Sequence, residues 1–237
     1  REVIMEGLLG ASRHALLLLL SGDYDLWTTI AISFSVSLKA IVLTAPVALV
    51  LAFVLAHTRF PGRRVLISVF HTLLAMPAVV VGLTLYLLLS RSGPFGDLKL
   101  LFSQTAMMIG QIILCFPILV AMGHSAIQAA DRRAWETAVT LGAGPGRAML
   151  TLMHEVRFGL MAALLAGFGR IIAEVGCSMM VGGNILHYTR NITTAIALET
   201  TKGEFAQGIA LGLVLLVFAL LLNFSLAMLQ GKGMMVS

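Results

Sequence analysis

The sequence predicts an all-α integral membrane protein with about five transmembrane helices. Three observations predict it. The 237 residues are 59% hydrophobic and only 11% charged, against about 25% charged in an ordinary soluble domain, so lipid must solvate part of the surface. The apolar residues gather into runs approaching the ~20 residues that a helix needs to cross hydrocarbon. No run alternates with the period of two of a barrel strand, which leaves helices as the way to satisfy a backbone in lipid.

Residues 1–25 hold one short apolar run, 15–20, behind Arg13 and His14. It is too short to span and has no cleavage-like sequel, so it reads as an interfacial helix rather than a signal peptide. The membrane domain, 26–229, then carries five apolar segments: 26–56, 65–89, 103–122, 156–173 and 205–229. Lys39 divides the first into a moderately apolar part and the fully apolar run 40–56, and snorkels toward an interface. Pro46, Pro77 and Pro117 each delete a helix hydrogen bond and read as packed kinks. Residues 230–237 form a short tail with Lys232.

Orientation follows from the short loops. "HTRFPGRR" (57–64) holds Arg59, Arg63 and Arg64 without an acid, and 131–157 holds Arg132, Arg133, Arg147 and Arg157. Both belong on the cytoplasmic side by the positive-inside rule; the alternate connections, 90–102 and 174–204, are poorer in net positive charge. Five spans then put the N-terminus outside and the C-terminus inside. The net charge of +5 is spread thinly, with no aromatic-flanked basic stripe, which argues against nucleic acid. Cys115 and Cys177 sit in apolar contexts at no metal or disulfide spacing. An odd number of spans and the lack of an internal repeat argue against an inverted-repeat carrier and favour a path formed between two chains.

The segment 131–153 interrupts this pattern with charge and with Gly144-Pro145-Gly146. Asp131 is placed to cap a short helix, Glu136 suits its positive end, and Gly142 stands where it should stop. Ala134, Ala138 and Gly142 recur every four residues, giving a face almost without side chains, with Trp135 and Val139 as an adjacent apolar ridge. Periodicity leaves two readings open: a peg that docks into a partner, or an amphipathic helix lying on the lipid surface.

Glu136-Thr137-Ala138, followed by three residues and Gly142, resembles the Glu-Ala-Ala…Gly motif of ABC importer permeases, whose short cytoplasmic helix couples to an ATPase subunit. Thr137 departs from the motif, as does His154-Glu155 where Leu-Pro often closes it. "FPGRR" (60–64), "LLSRSGPFG" (88–96), "AGFGRIIAEVG" (166–176), "MVGGNI" (180–185), "YTRNITTAIALET" (188–200) and "KGEF" (202–205) resemble the tungstate-type permeases of the molybdate/tungstate branch. The resemblance implies the type-1 ABC importer permease fold, a homodimer, two copies of a separate ATPase and an external binding protein that delivers the oxyanion. It also implies a coupling role for Arg132, Arg133, Trp135, Glu136, Ala138, Val139, Gly142, Ala143 and Arg147. Molybdate or sulfate are alternative cargoes, and a stand-alone channel or carrier is the rival class.

The residues suit that division of labour. There is no Gly-x-x-x-x-Gly-Lys-Ser/Thr loop, so no cofactor is expected in this chain, ATP and Mg²⁺ belonging to the partner. No nucleophile–base or paired-carboxylate arrangement supports an enzyme. Arg170 and Glu174, four residues apart and roughly 20 Å along the fourth span from Arg157, read either as a self-neutralising pair or as part of an electropositive path for a dianion. Gly182, Gly183 and Asn184 read either as a plain turn or as amides aimed at an anion, with His187 and Arg190 following.

Overall fold

The computed structural model describes residues 17, 20–129 and 132–233, and the side chains of these apart from 132–134, 138, 145, 206, 222–223 and 225–233. Most of the expected interfacial segment 1–25, the proposed cap Asp131 and the end of the tail 230–237 lie outside the described residues. Among the described residues every regular element is helical, as the composition predicts.

Helix α1 (Tyr24–His57) is the first span, long and apolar enough to cross a membrane. Asp23 Oδ1 accepts from Leu26 N–H at 2.9 Å, occupying one of the amides that every helix start leaves open. Pro46 lies inside α1 without ending it, and Pro117 likewise lies inside α4 (Gln104–Gln128), the other continuous span among the described residues.

Pro77 behaves differently. The expected second span, 65–89, is two helices, α2 (Arg63–Leu73) and α3 (Ala78–Leu89), interrupted at 74–77. A proline lacks the N–H that would continue the ladder and pushes the residue before it out of the helical region; here it becomes the extended N-cap of α3.

The segment 131–153 contains two helices rather than one. Helix α5 (Arg132–Thr140) stops before Gly142, whose φ of 83° is costly for any residue with a side chain. Helix α6 (Pro145–Glu155) restarts with proline in its first turn, where the missing N–H costs nothing. Helix α7 (Arg157–Ile172) follows at an angle of 77°. Because α7 ends at Ile172, Arg170 and Glu174 are not one turn apart on a common helix as the spacing suggested. The stretch 174–204, expected as a loop, carries α8 (Gly176–Gly182) and α9 (Ile192–Lys202), and α10 (Phe205–Gly233) is the last apolar helix.

These helices form two compact units. In the unit made of Arg1–Ala40, Pro77–Gln111 and Ile171–Leu222, Leu26, Ile30, Ile192, Ala195, Ala210 and Leu211 make a core cluster. There α3 and α8 approach almost backbone to backbone: a Cβ on Gly82 would lie 2.8 Å from Cys177 Cα. The other unit, Ile41–Met76, Ile112–Arg170 and Asn223–Ser237, is centred on Ala52, Ile127, Leu152 and Leu160. In it Gly159 admits Ala126, whose Cβ would stand 2.8 Å from an added methyl. Val42, Leu43, Val47 and Val50 of α1 nevertheless stand 47–62% exposed. A stripe of that kind belongs against hydrocarbon or another apolar surface, since burying each such side chain is worth about 1.5–3 kcal/mol.

Candidate functional site

The charged insertion builds the first candidate site. Helices α5 and α6 pack against each other around the turn at Gly142, where Leu141 N–H donates to Thr137 O and Gly142 N–H to Val139 O. The turn presents Val139, 47% exposed, and Leu141, 82% exposed. Leu150 of α6 is exposed too. Sequence reasoning found Val139 but missed Leu141 and Leu150, although large aliphatic residues beside a glycine break are the signal of an apolar tip. Glu136 and Arg147 are exposed, and Ala143 is half-buried in the turn. The backbones of Arg132, Arg133 and Ala138 lie in α5, while their side chains are outside the described set, as is that of Ala134.

Trp135 does not form an outward ridge with Val139. Its ring turns inward to His57 at 4.7 Å and Phe53 at 5.6 Å, and His57 stacks on Phe53 at 4.4 Å with an interplanar angle of 17°. The reason is solvation: an indole on an otherwise polar helix is better covered by the rings of the neighbouring α1 terminus than left in water. Beside this stack lies a cavity of about 390 Å³ lined by Arg59, Arg63, Gln128, Trp135 and Glu136 among others. Arg63 Nε donates to Leu55 O at 2.5 Å and Gln128 Nε2 to Ala56 O at 3.2 Å, so the last carbonyls of α1 are capped from α2 and α4.

The intramembrane polar residues form a second constellation. Glu174 is 5% exposed; its Oε1 accepts from Cys177 N–H at 3.0 Å and its carbonyl accepts from Thr193 Oγ1 at 2.8 Å. Gln111 Nε2 reaches Ile171 O at 3.3 Å. The break between α7 and α8 is thus satisfied by side chains, as hydrocarbon demands. Arg170 is half-buried, and both it and Glu174 are engaged.

The glycines expected as an anion nest have other employment. Gly182 sits inside α8, where an added Cβ would fall 2.8 Å from Met107 Sδ, and its carbonyl accepts from Thr189 Oγ1 at 2.5 Å. Gly183, at φ 70°, ends α8 by donating its N–H to Met179 O. Asn184 adopts φ 51° and its Nδ2 reaches Thr194 O at 3.4 Å. Arg190 lines a cavity of about 410 Å³ together with Asp23, Asp25, Glu199, Lys202 and Glu204. His187 Nε2 lies 3.4 Å from Asp25 Oδ1. Asn191 caps α9: its Oδ1 accepts from Thr194 N–H at 2.9 Å while Thr194 Oγ1 accepts from Asn191 N–H at 3.1 Å. The asparagine–threonine spacing was the available signal.

Helical spans, a packed helix pair around a glycine turn and a side-chain-satisfied break define a class. A bacterial ABC transporter that imports the acidic polysaccharide alginate superposes with a TM-score of 0.71 over 94% of this chain and 89% of that chain, at 17% identity. The MetNI methionine ABC transporter superposes at 0.62 over 90% and 95%, at 16% identity. The fold is that of a type-1 ABC importer permease subunit. No family model matches the sequence. The tungstate uptake system permease TupB of Campylobacter jejuni is 39% identical over 94% of both chains, and that of Peptoclostridium acidaminophilum is 36% identical over 97% and 99%. The molybdenum transport permease ModB of Escherichia coli is 29% identical over 75% of this chain and 82% of its own length. The chain belongs to the oxyanion ABC importer permease family that contains the tungstate uptake permeases.

Proposed function

We propose that two copies of this chain form the membrane path of an ATP-driven importer for tungstate. An external binding protein supplies the anion and separate ATPase subunits act on α5 and α6. The observation that carries the reading is near-full-length similarity to two tungstate uptake permeases, joined to a helix pair whose turn exposes Val139 and Leu141. Glu136, Ala143 and Arg147 supply the polar and small-residue surround of that turn, and Arg132, Arg133 and Ala138 belong to the same coupling region. Loops 57–64 and 131–157 face the cytoplasm, which puts the N-terminus outside. Of the path candidates, Arg170 provides the electropositive step; Arg190 stands among acids that blunt its pull on an anion.

Reconstitution tests this. Proteoliposomes holding the permease and its ATPases, with binding protein outside, should accumulate labelled tungstate only when ATP is enclosed on the ATPase face. Accumulation by the permease alone would mark a stand-alone carrier and defeat the proposal. Gly142→Val forces a β-branched residue into a left-handed turn, at a cost on the order of 1–3 kcal/mol, and should lower transport per ATP hydrolysed while the protein stays in the membrane. Unchanged transport would remove the coupling role from this turn. A second reading, molybdate as cargo, is favoured by the ModB similarity; competition between labelled tungstate and unlabelled molybdate or sulfate decides it.

A further inference from the structure

Docking does not account for the inward face of α5. Trp135 is the one aromatic residue of that helix, and it is committed to the last turn of α1 through His57 and Phe53. The same turn is tied to α2 by Arg63 and to α4 by Gln128, each donating to one of its carbonyls. A force applied to α5 therefore reaches α1 directly through these rings, at a terminus fastened to two other helices. The cavity of about 390 Å³ alongside leaves the ring stack room to rock rather than locking it in close packing.

We propose that His57 is a positioning residue for coupling: with Phe53 it makes the stacked ring pair on which Trp135 rests, and that pair relays displacement of α5 to the end of the first span. This rests on the reading of α5 as the ATPase contact. The three rings lie within 4.4–5.6 Å of one another, so a shift of Trp135 reaches Phe53 and His57 together, and the stacked pair, at 17°, offers a flat bearing surface that an alanine at 57 would remove. An aliphatic side chain of similar bulk would yield along the same direction. The requirement at position 57 is thus a flat ring.

The test uses the reconstituted complex of permease, ATPases and binding protein. His57→Ala should leave the ATPases bound and ATP hydrolysis within about twofold of the parent, while transport per ATP falls about fivefold, the scale of a coupling free energy near 1 kcal/mol. His57→Phe should restore transport per ATP, because it returns a flat ring. The protein has two tryptophans, Trp27 and Trp135. In a Trp27→Phe background, trapping the ATPases with ATP and vanadate should therefore change Trp135 emission, and His57→Ala should abolish that change. The inference is overturned if His57→Ala transports as well per ATP as the parent, if His57→Phe behaves like His57→Ala, or if Trp135 emission ignores vanadate trapping. Failure of the parent complex to transport tungstate would instead defeat the functional reading itself.

Discussion

Thr189 shows how little slack the buried polar groups have. It is fully buried, its hydroxyl donates to Gly182 O and accepts from Ile185 N–H at 2.9 Å, and it holds the turn that follows α8. Thr189→Val preserves the shape and removes both bonds, leaving a carbonyl and an amide without that partner. The expected cost is about 1–3 kcal/mol, seen as a lower thermal midpoint in detergent, whereas Thr189→Ser should recover most of it. The same economy governs Ser33, whose Oγ accepts from Ile192 N–H at 2.6 Å and donates to Thr29 O at 3.1 Å, joining α1 to the start of α9.

At the scale of elements, α3 and α8 depend on residues that are not there. Gly82→Val would drive a branched side chain toward the Cys177 backbone, which lies 2.8 Å from a Cβ at that position. Backbone cannot step aside as a flexible side chain can, so overpacking should cost about 1–3 kcal/mol or more. Reduced yield and a lower midpoint in detergent, against a benign Gly144→Ala control in open space, would show it. These elements also mark how far the sequence was legible. Composition and run length placed α1, α4, α7 and α10, because a span is a bulk property of about 20 residues. Gly142 and Pro145 punctuated the insertion as read. Prolines were not legible singly: Pro46 and Pro117 ride inside helices while Pro77 breaks one, and only the packing around each decides. The helices at 176–182 and 192–202 were missed because they are short and carry polar residues satisfied at long range, Thr193 by the Glu174 carbonyl being the clearest case. Trp135 was assigned to the wrong face for a related reason: its partners Phe53 and His57 are distant in sequence.

For the whole molecule, membrane orientation is the testable property. Cys115 and Cys177 are both free and buried, so single cysteines introduced on the surface report alone. In intact cells, an impermeant maleimide should label Ser92→Cys, in the loop after α3, and should spare Thr58→Cys in the arginine-rich loop until the membrane is permeabilised. The reverse pattern would invert the topology and move α5 and α6 to the side without nucleotide. Both positions are exposed in the chain, and labelling of Thr58→Cys after permeabilisation shows that sidedness spared it before.

The loop that carries this signal does double duty. Arg63 counts toward the positive charge proposed to orient the chain, and the same guanidinium closes the end of α1 through Nε. An ammonium in its place would keep the loop's electrical address but lose the flat lateral donor that finishes the helix. Topogenesis and helix termination are thus written in one side chain, so this position answers to two selections at once, and arginine is the residue that satisfies both.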